Sequence, residues 1–544
     1  MFPPRSGPMF SLTGVVLCVA AAVLLPNTAR AQSPGSWTFF GAVEAQVDDY
    51  SVSGDPQPSP YRFEGTFWTT RIGLNALYDN RAGRTARAEA SVRASDDDYL
   101  AEDGFVVEAF RLELEDGARR IPYRVGAGEV FANFSRRTLQ RSIRGFSLEL
   151  QPKSAAGHGH SLIAVSGSGA VQWSDVFDSE ATDLWFSGLS YLWASVNGRS
   201  TLVANVVHAS HSGSADTAVQ LVGDDVDQLI SGVSAETRIG EFRLEGELAY
   251  LSGESDGEDV GDVSGFAQVT HQHRALWWRL RYEDNGEDFR PLGGLGIIAN
   301  RRNGELQGRW AFNGHGQLAV RAQRITDDVN GVGPQIEKKT WGASYQGSPW
   351  RGRPSFTLRL AWDRNDIRAD DGSRDNRFDG WRLELGDDLG KGFSANYSAL
   401  FRDNRDIVTN SFSTEGIDQT LTVGKRFTVG RSAGGGIGMH LRGGLTHRRQ
   451  TGNSAYSTVK PVIDVSVHSA HHRLDLHLAF LDQDFTLETI TDLENHTRRL
   501  IYSYVRGPHT VSVEAGQILR VPDGFEETDS RKYSLRYRYN FGQR

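Results

Sequence analysis

The carboxyl-terminal stretch of the chain constrains the fold most strongly. Large apolar residues alternate there with polar or charged ones, the apolar set being Tyr533, Leu535, Tyr537, Tyr539 and Phe541 and the polar set Ser534, Arg536, Arg538 and Asn540. Side chains alternate across a β-strand, so the pattern predicts one apolar and one polar face. A soluble sandwich would bury the apolar face, whereas a membrane barrel turns it to lipid and encloses the polar face around water.

The same alternation recurs along most of the chain. Clear examples lie in segments 278–283, 305–312, 356–363, 381–385 and 473–480. The runs mostly extend about 9–14 residues, which fits a tilted membrane-crossing strand better than the roughly 5–6 residues of an average soluble strand. Charges of both signs occupy the polar positions, which fits the solvent face of a sandwich as well as a wet barrel interior, so strand length is what separates the two folds.

The breaks between these runs are of two kinds. Some are tight, as at 196–200, 238–242 and 387–392, and others are predicted to be longer polar loops, as at 252–262, 367–377 and 487–495. Short turns at one end and longer loops at the other are typical of outer-membrane barrels. We therefore predict an all-β fold, a large antiparallel transmembrane β-barrel of roughly 24–26 strands.

The amino-terminal residues predict export. Arg5 precedes an apolar run over 12–25, and Ala29-Arg30-Ala31 fits a small-x-small cleavage site. The run is too short to span a bilayer, so residues 1–31 are predicted to be a cleaved signal peptide and 32–544 the barrel. Cys18 is the only cysteine of the chain, so the mature protein is expected to have neither a disulfide nor a thiol catalyst.

Net charge and mean hydropathy are both compatible with a membrane barrel. The formal net charge of −9 argues against a nucleic-acid partner, which would need a basic face. The mean hydropathy of −0.43 is low, but a barrel strand needs only one apolar face. Neither value excludes a membrane barrel.

From the predicted signal to the aromatic terminal strand, the chain resembles Gram-negative outer-membrane β-barrel proteins, porin-like or exporter-like. The resemblance implies location in the outer membrane, contact with its lipids and lipopolysaccharide, and insertion by the barrel assembly machinery. In such proteins the last aromatic residue helps that machinery to recognise the strand. Here Gly542-Gln543-Arg544 follows Phe541, which departs slightly from that pattern.

The candidate functional residues are those expected to face the lumen. Arginines are concentrated in segment 135–144, at Arg136, Arg137, Arg141 and Arg144. They either fold into the lumen and favour anionic cargo, or form an ordinary turn against lipid phosphates or solvent. By alternation, further candidates are Arg279, Arg281, Glu283, Arg309, Arg359, Arg382, Glu384, Arg536 and Arg538. Such a mixed lumen permits hydrated solutes and indicates no strong ion selectivity.

Motifs for catalysis or metal binding are weak. His208 and Ser210 share a strand face, so His208 could act as a base for Ser210, as in outer-membrane lipid hydrolases. Two same-face polar residues are the simpler interpretation, and we predict no catalytic residue, metal or cofactor. The histidine pairs and the acidic groups lack a complete ligand set for a transition metal or for calcium. The histidines are His158, His160, His271, His273, His468, His471 and His472, and the acidic residues are Asp96, Asp97, Asp98, Asp224, Asp225, Asp227, Glu254, Asp256, Glu258 and Asp259.

Three functions remain open from the sequence. The first is a channel that passes hydrophilic solutes or an exported polymer such as polysaccharide, with a periplasmic export partner as a candidate. It follows from barrel size, the mixed lumen and the expected absence of a plug or periplasmic domain. The second is a closed barrel that acts as a surface scaffold or assembly partner, and it predicts a lumen filled by the arginine-rich segment. The third is the lipid hydrolase.

Overall fold

Twenty-six β-strands make up the fold in the part of the chain that the computed structural model describes, residues 36–54, 64–80, 83–97, 104–169, 173, 184–211, 225–255, 257–312, 315–329, 333–350, 352–409, 413–430, 436–452, 455–485, 492–524 and 526–542. Among these residues no helix is long and apolar enough to cross a membrane. The predicted signal peptide at 1–31 lies outside the described residues.

The strands are β1 (Ser36–Gly54), β2 (Gly65–Asp79), β3 (Arg84–Ser95), β4 (Phe105–Asp116), β5 (Tyr123–Ser135), β6 (Leu139–Leu150), β7 (Gly159–Ser168), β8 (Trp185–Ala194), β9 (Ser200–His211), β10 (Val226–Ile239), β11 (Phe242–Ser255), β12 (Glu258–His273), β13 (Leu276–Asn285), β14 (Arg301–Phe312), β15 (Gly316–Asp327), β16 (Ile336–Gly347), β17 (Thr357–Ala369), β18 (Asp375–Gly390), β19 (Phe393–Asp406), β20 (Thr414–Val429), β21 (Ile437–Gly452), β22 (Tyr456–His468), β23 (His472–Phe485), β24 (Leu493–Arg506), β25 (His509–Pro522) and β26 (Thr528–Phe541).

The sheet closes on itself. Each strand pairs antiparallel with the next, and β1 pairs with β26 in the register that joins Gly41 to Phe541 and Gly54 to Thr528. Closure joins the first strand to the last, which is the condition for a sheet to cross a bilayer. The predicted all-β antiparallel barrel is confirmed, and its 26 strands fall within the predicted range.

The barrel is apolar on the outside and polar on the inside. In β11, Leu248 and Tyr250 are 61% and 52% exposed, whereas Glu247 and Ala249, which alternate with them, are buried. The exposed residues of β26, Tyr533 and Leu535, follow the same rule. A soluble fold would bury these apolar side chains, so the inversion identifies the outer face as the lipid-facing one. We call the opposite face the inner face.

The first and last strands are joined by packing on both faces. Val43 and Tyr539 are buried together on the outer face, with Phe541 against them. A Cβ at Gly41 would clash with the Phe541 ring and with the backbone of β2, so this position requires glycine. On the inner face the Arg536 guanidinium donates a hydrogen bond to Gln46 at 2.8 Å. The predicted terminal strand therefore seals the barrel.

Both termini of the barrel lie at the same end, because the strand number is even. We call it the terminal end and the opposite one the far end. Connections at the terminal end are mostly tight, as between Ile239 and Phe242, whereas several at the far end are longer, such as residues 286–300 between β13 and β14. One predicted long loop is wrong: β11 continues to Ser255 and β12 begins at Glu258, so most of 252–262 belongs to strands.

Candidate functional site

A hairpin leaves the barrel wall at the far end and folds inward. Strand β5 pairs with β4 only as far as Gly128, and β6 pairs with β7 only from Arg144 onward. Beyond these points the two strands pair with each other alone. Gly128 has a φ of +97°, and a Cβ there would clash with the Phe110 carbonyl oxygen. The bend therefore needs glycine. We call residues 129–144 the inward hairpin.

The inward hairpin packs against the inner face of β7 to β10. Its Leu139 and Ile143 are fully buried, in one cluster with Phe186 of β8 and Val207 of β9. Glycines in the wall make room for it, because a Cβ at Gly188 would meet the Phe134 ring. Burial of each large side chain contributes roughly 1.5–3 kcal/mol. An apolar contact thus holds the hairpin inside an otherwise polar barrel.

Arg137, at the tip of the inward hairpin, is bound by the wall strands β11, β12 and β13. Its side chain has no exposed surface and donates hydrogen bonds to Ser264 and Glu283, each at 2.7 Å. Glu247 lies 3.5 Å from Nη1, and the guanidinium stacks over the Phe266 ring at 5.0 Å. Two carboxylates and a hydroxyl compensate for the loss of water around the charge.

The protonation state of Arg137 follows from these contacts. Burial lowers the pKa of its guanidinium, and the Glu283 and Glu247 carboxylates oppose that shift. Because arginine is the most basic side chain in proteins, Arg137 stays charged at neutral pH. Arg137 is therefore a permanent cation paired with two carboxylates, and it is not a group that switches with pH.

The connection between β13 and β14, residues 286–300, covers the inward hairpin, and we call it the covering segment. The backbone N–H of Gln140 donates to the Gly293 carbonyl at 2.9 Å, and that of Leu295 donates to the Arg136 carbonyl at 3.0 Å. Phe289 is fully buried in a cluster with Ile230. The two far-end elements therefore form one packed unit within the barrel.

Gln228 of β10 fixes the covering segment to the wall. Its side-chain amide donates to the Arg290 carbonyl at 3.0 Å, and its amide oxygen accepts from the Leu292 N–H at 3.1 Å. The residue is 2% exposed. One glutamine side chain thus satisfies a donor and an acceptor of the segment's backbone, as buried polar groups require.

The arginine-rich segment lies within the inward hairpin. Arg136 is exposed, while Arg137 is bound as described. The Arg141 guanidinium packs over the Phe186 ring at 4.8 Å and donates to the Leu292 carbonyl, and Arg144 lies 3.4 Å from Glu129. Attraction of anions by this segment stays a prediction, and the contacts show that most of its guanidinium groups bind protein.

The other candidates of the sequence occupy the inner face and are largely ion-paired. Arg279 pairs with Glu305 at 2.8 Å, and Arg281 with Glu283 at 2.9 Å. The remaining contacts are Arg309 over the Trp277 ring at 5.6 Å, Arg359 to Glu384 at 3.5 Å, Arg382 to Glu384 at 4.0 Å, Arg536 to Glu44 at 3.7 Å and Arg538 to Asn540 at 3.0 Å. These pairs give the wall a polar, mostly balanced surface.

Water reaches this inner face away from the inward hairpin. The side chains of Arg359, Arg382 and Arg536 are 43%, 45% and 51% exposed. Near the hairpin, by contrast, the side chain of Arg281 is 16% exposed. The hairpin and the covering segment therefore occupy one side of the barrel and leave inner surface on other strands accessible.

His208 and Ser210 do not form a catalytic pair in this arrangement. They lie on the outer face with Val206, which is 46% exposed. The His208 Nε2 atom contacts both carboxylate oxygens of Asp227 at 3.1 Å, and no hydrogen bond among the described residues joins His208 to Ser210. His208, the base in the hydrolase hypothesis, therefore contacts Asp227 and not Ser210.

The histidine pairs and acidic groups form no metal site among the described residues. His468 and His472 occupy opposite faces, because His468 pairs with Arg473 in the register of β22 and β23. Of the acidic groups, Asp98, Asp224 and Asp256 lie outside the described residues. Glu254, Glu258 and Asp259 belong to strands rather than to the loop that the sequence predicted.

Sequence reasoning missed the covering segment and Gln228. The available signal was the stretch Pro291-Leu292-Gly293-Gly294-Leu295-Gly296-Ile297-Ile298, which is apolar and glycine-rich but does not alternate. A solvated loop rarely carries so many apolar residues, so a buried position could have been inferred. Its contact with the hairpin could not, since the two segments lie far apart in sequence.

A closed, even-numbered antiparallel barrel with an apolar outer face and a charged inner face defines an outer-membrane β-barrel protein. No protein family and no curated protein matches the sequence. Solved structures that resemble the chain include the P pilus usher (PapC) translocation pore, with 12% identity, 92% of this chain and 99% of that chain covered, and a TM-score of 0.30.

Two further structures show a similar level of resemblance. OpdO of Pseudomonas aeruginosa is 11% identical over 92% of this chain and 97% of its own, with a TM-score of 0.28. A bacterial polysaccharide outer membrane secretin is 13% identical over 64% of this chain and 100% of its own, with a TM-score of 0.25. Scores this low carry no argument about cargo, and the class rests on the barrel itself.

Proposed function

We propose that this protein is a channel in the outer membrane of a Gram-negative bacterium, passing hydrophilic solutes or an exported polymer such as polysaccharide. The observation that carries the proposal is the accessible inner face: arginines such as Arg359, Arg382 and Arg536 are about half exposed inside a closed barrel. Lipid cannot solvate these charges, so water does, and a water-filled barrel conducts.

Barrel size supports the same function. Twenty-six strands spaced by about 4.8 Å and tilted by about 40° give a backbone diameter of roughly 50 Å for a circular barrel. An open pore of that width would compromise the membrane barrier. The inward hairpin and the covering segment reduce the cross-section at the far end, which gives the channel a constriction.

A closed scaffold is the second candidate function, and the packed hairpin unit is the observation that favours it. In that role the lumen is blocked at the far end, and no ion current flows. A lipid hydrolase receives no support from the described geometry, because His208 faces Asp227 on the outer surface. The expected partners of the channel are lipopolysaccharide, the barrel assembly machinery and a periplasmic export protein.

Single-channel recording on the refolded mature protein in a planar lipid bilayer tests the proposal. Heat-modifiable migration on a denaturing gel first establishes that the barrel is folded. Large, stable current steps are the expected result for a channel. Silence from demonstrably folded barrels would instead support the scaffold.

A further inference from the structure

Four basic side chains meet on the inner face at the terminal end of β20 to β23. Arg426 pairs in register with His440, and His468 with Arg473. The side chains border a cavity of about 600 Å³, which Thr428, Gly438 and Ser466 also line from the inner face. A Cβ at Gly438 would clash with the His468 ring, so the glycine allows the imidazole to lie across the wall.

The orientation of this basic patch follows from its neighbours. Phe427, Leu441 and Leu474 are exposed on the outer face, at 36%, 49% and 39%. Strand alternation puts Arg426 and His440 on the opposite, lumenal face. The patch is therefore reached by water and by cargo entering at the terminal end, and not by lipid.

The charge of this sector is unbalanced. Arg473 contacts Asp475 at 2.6 Å, but Arg426 has no ion-pair partner in the described part of the chain. On the terminal half of β20 to β26 the inner face carries six arginines against three carboxylates, namely Arg426, Arg442, Arg473, Arg499, Arg536 and Arg538 against Asp464, Asp475 and Glu514. Four of these arginines, Arg442, Arg473, Arg499 and Arg536, have a carboxylate within 3.9 Å, which leaves Arg426 and Arg538 without one among the described residues.

We propose that the basic patch of Arg426, His440, His468 and Arg473 is an anion-binding site that receives carboxylate or phosphate groups of the cargo. Guanidinium and imidazole N–H groups donate to such oxygens, and the Thr428 hydroxyl adds a donor in the same cavity. The inference rests on the proposed channel function and gives it a substrate class: anionic solutes or acidic polysaccharide, taken up at the terminal end.

The test uses the full mature barrel in two assays. Isothermal titration of the detergent-folded protein measures binding of oligogalacturonate, of inorganic phosphate and of neutral maltooligosaccharide of matched length. Planar bilayers under a KCl gradient measure the reversal potential and the block by the same probes. The anionic probes are expected to bind, the neutral one is not, and the channel is expected to prefer chloride.

Arg426→Gln is the diagnostic variant. Loss of one hydrogen bond to a charged group is worth about tenfold in affinity, so its dissociation constant for the anionic probe should rise about tenfold. Arg87→Gln is the matched control, because Arg87 lies on β3 near the terminal end, is 50% exposed and already pairs with Glu89. The control should retain wild-type affinity.

The outcomes separate the two proposals. Binding that is lost in Arg426→Gln supports the site even if no current flows, in which case only the channel proposal fails. Binding of galacturonate alone or of phosphate alone identifies the cargo group. Equal affinity of Arg426→Gln and wild type, or equal affinity for the neutral and anionic probes, would overturn the site while leaving the channel intact.

Discussion

Arg137 and Glu283 form a buried ion pair with an Nη2–Oε1 distance of 2.7 Å, although 146 residues separate them in sequence. One residue lies at the tip of the inward hairpin, and the other on the wall that the tip reaches. The pair therefore couples the position of the hairpin to a fixed strand, and the lumen should respond when the pair is broken.

We predict that Arg137→Ala increases single-channel conductance and lowers stability. The substitution leaves Glu247 buried without its cation and Glu283 with Arg281 alone, which costs about 3–5 kcal/mol and favours a displaced hairpin. Planar-bilayer recording measures the conductance, and the temperature at which the folded gel band disappears measures the stability.

Arg136→Ala is the matched control for this substitution, because the neighbouring side chain is exposed. A further variant that combines Arg137→Ala with Glu247→Gln and Glu283→Gln should regain stability but keep the raised conductance. If Arg137→Ala conducts like wild type while remaining folded, the hairpin does not set the constriction.

Gln228→Leu should loosen the covering segment without removing volume. It deletes two hydrogen bonds to the segment's backbone, worth about 1–3 kcal/mol together. Chymotrypsin cleavage after Phe289, which is fully buried in the native protein, reports the detachment and should accelerate by roughly tenfold or more.

Gln323→Leu provides the comparison for Gln228→Leu. Gln323 bonds to Asn303 within the wall and has no contact with the covering segment among its described hydrogen bonds. Its cleavage rate should match wild type. Equal acceleration in both variants would mean that cleavage follows global loosening of the barrel and not local detachment.

Gly128→Val should prevent the bend that directs the hairpin inward. Valine at a φ of +97° is strained by about 1–2 kcal/mol, and its Cβ would also clash with the Phe110 carbonyl oxygen. The folded fraction on heat-modifiable gels should fall. Gly73→Ala, where a Cβ meets nothing within 4 Å, should fold normally; a normal yield of Gly128→Val would show that the wall tolerates a straight hairpin.

The strands of the barrel wall could be predicted from the sequence, but the packing of the inward hairpin and the covering segment inside the barrel could not. Alternation such as that of Leu248 and Tyr250 with Glu247 reports directly on two-sided strands, because each face meets a different solvent. Phe134 and Leu139 are buried inside the barrel because they contact wall residues of other strands, such as Phe186. Such pairings leave no periodic mark in the local sequence, so the arginine-rich segment could be located but its ion pairs could not.

The last strand gives a test of the inside-out assignment itself. Leu535 is 52% exposed on the outer face, whereas the adjacent Arg536 is on the inner face with Gln46. Leu535→Arg would bring a charge into lipid, at a cost of about 2–4 kcal/mol near the midplane and less toward the interfaces. The variant should therefore insert poorly into lipid vesicles, as measured by the folded fraction.

Arg536→Gln, one residue along the same strand, should insert like wild type. Position 536 faces water on the inner face, and glutamine is a polar residue that water solvates. The comparison separates lipid exposure from general sensitivity of the closing strand, since both positions lie in the β26–β1 seam. If Arg536→Gln inserted as poorly as Leu535→Arg, the seam would be sensitive whichever face is altered. If Leu535→Arg inserted normally, the face assigned to lipid would be wrong, and with it the aqueous lumen on which the proposed channel depends.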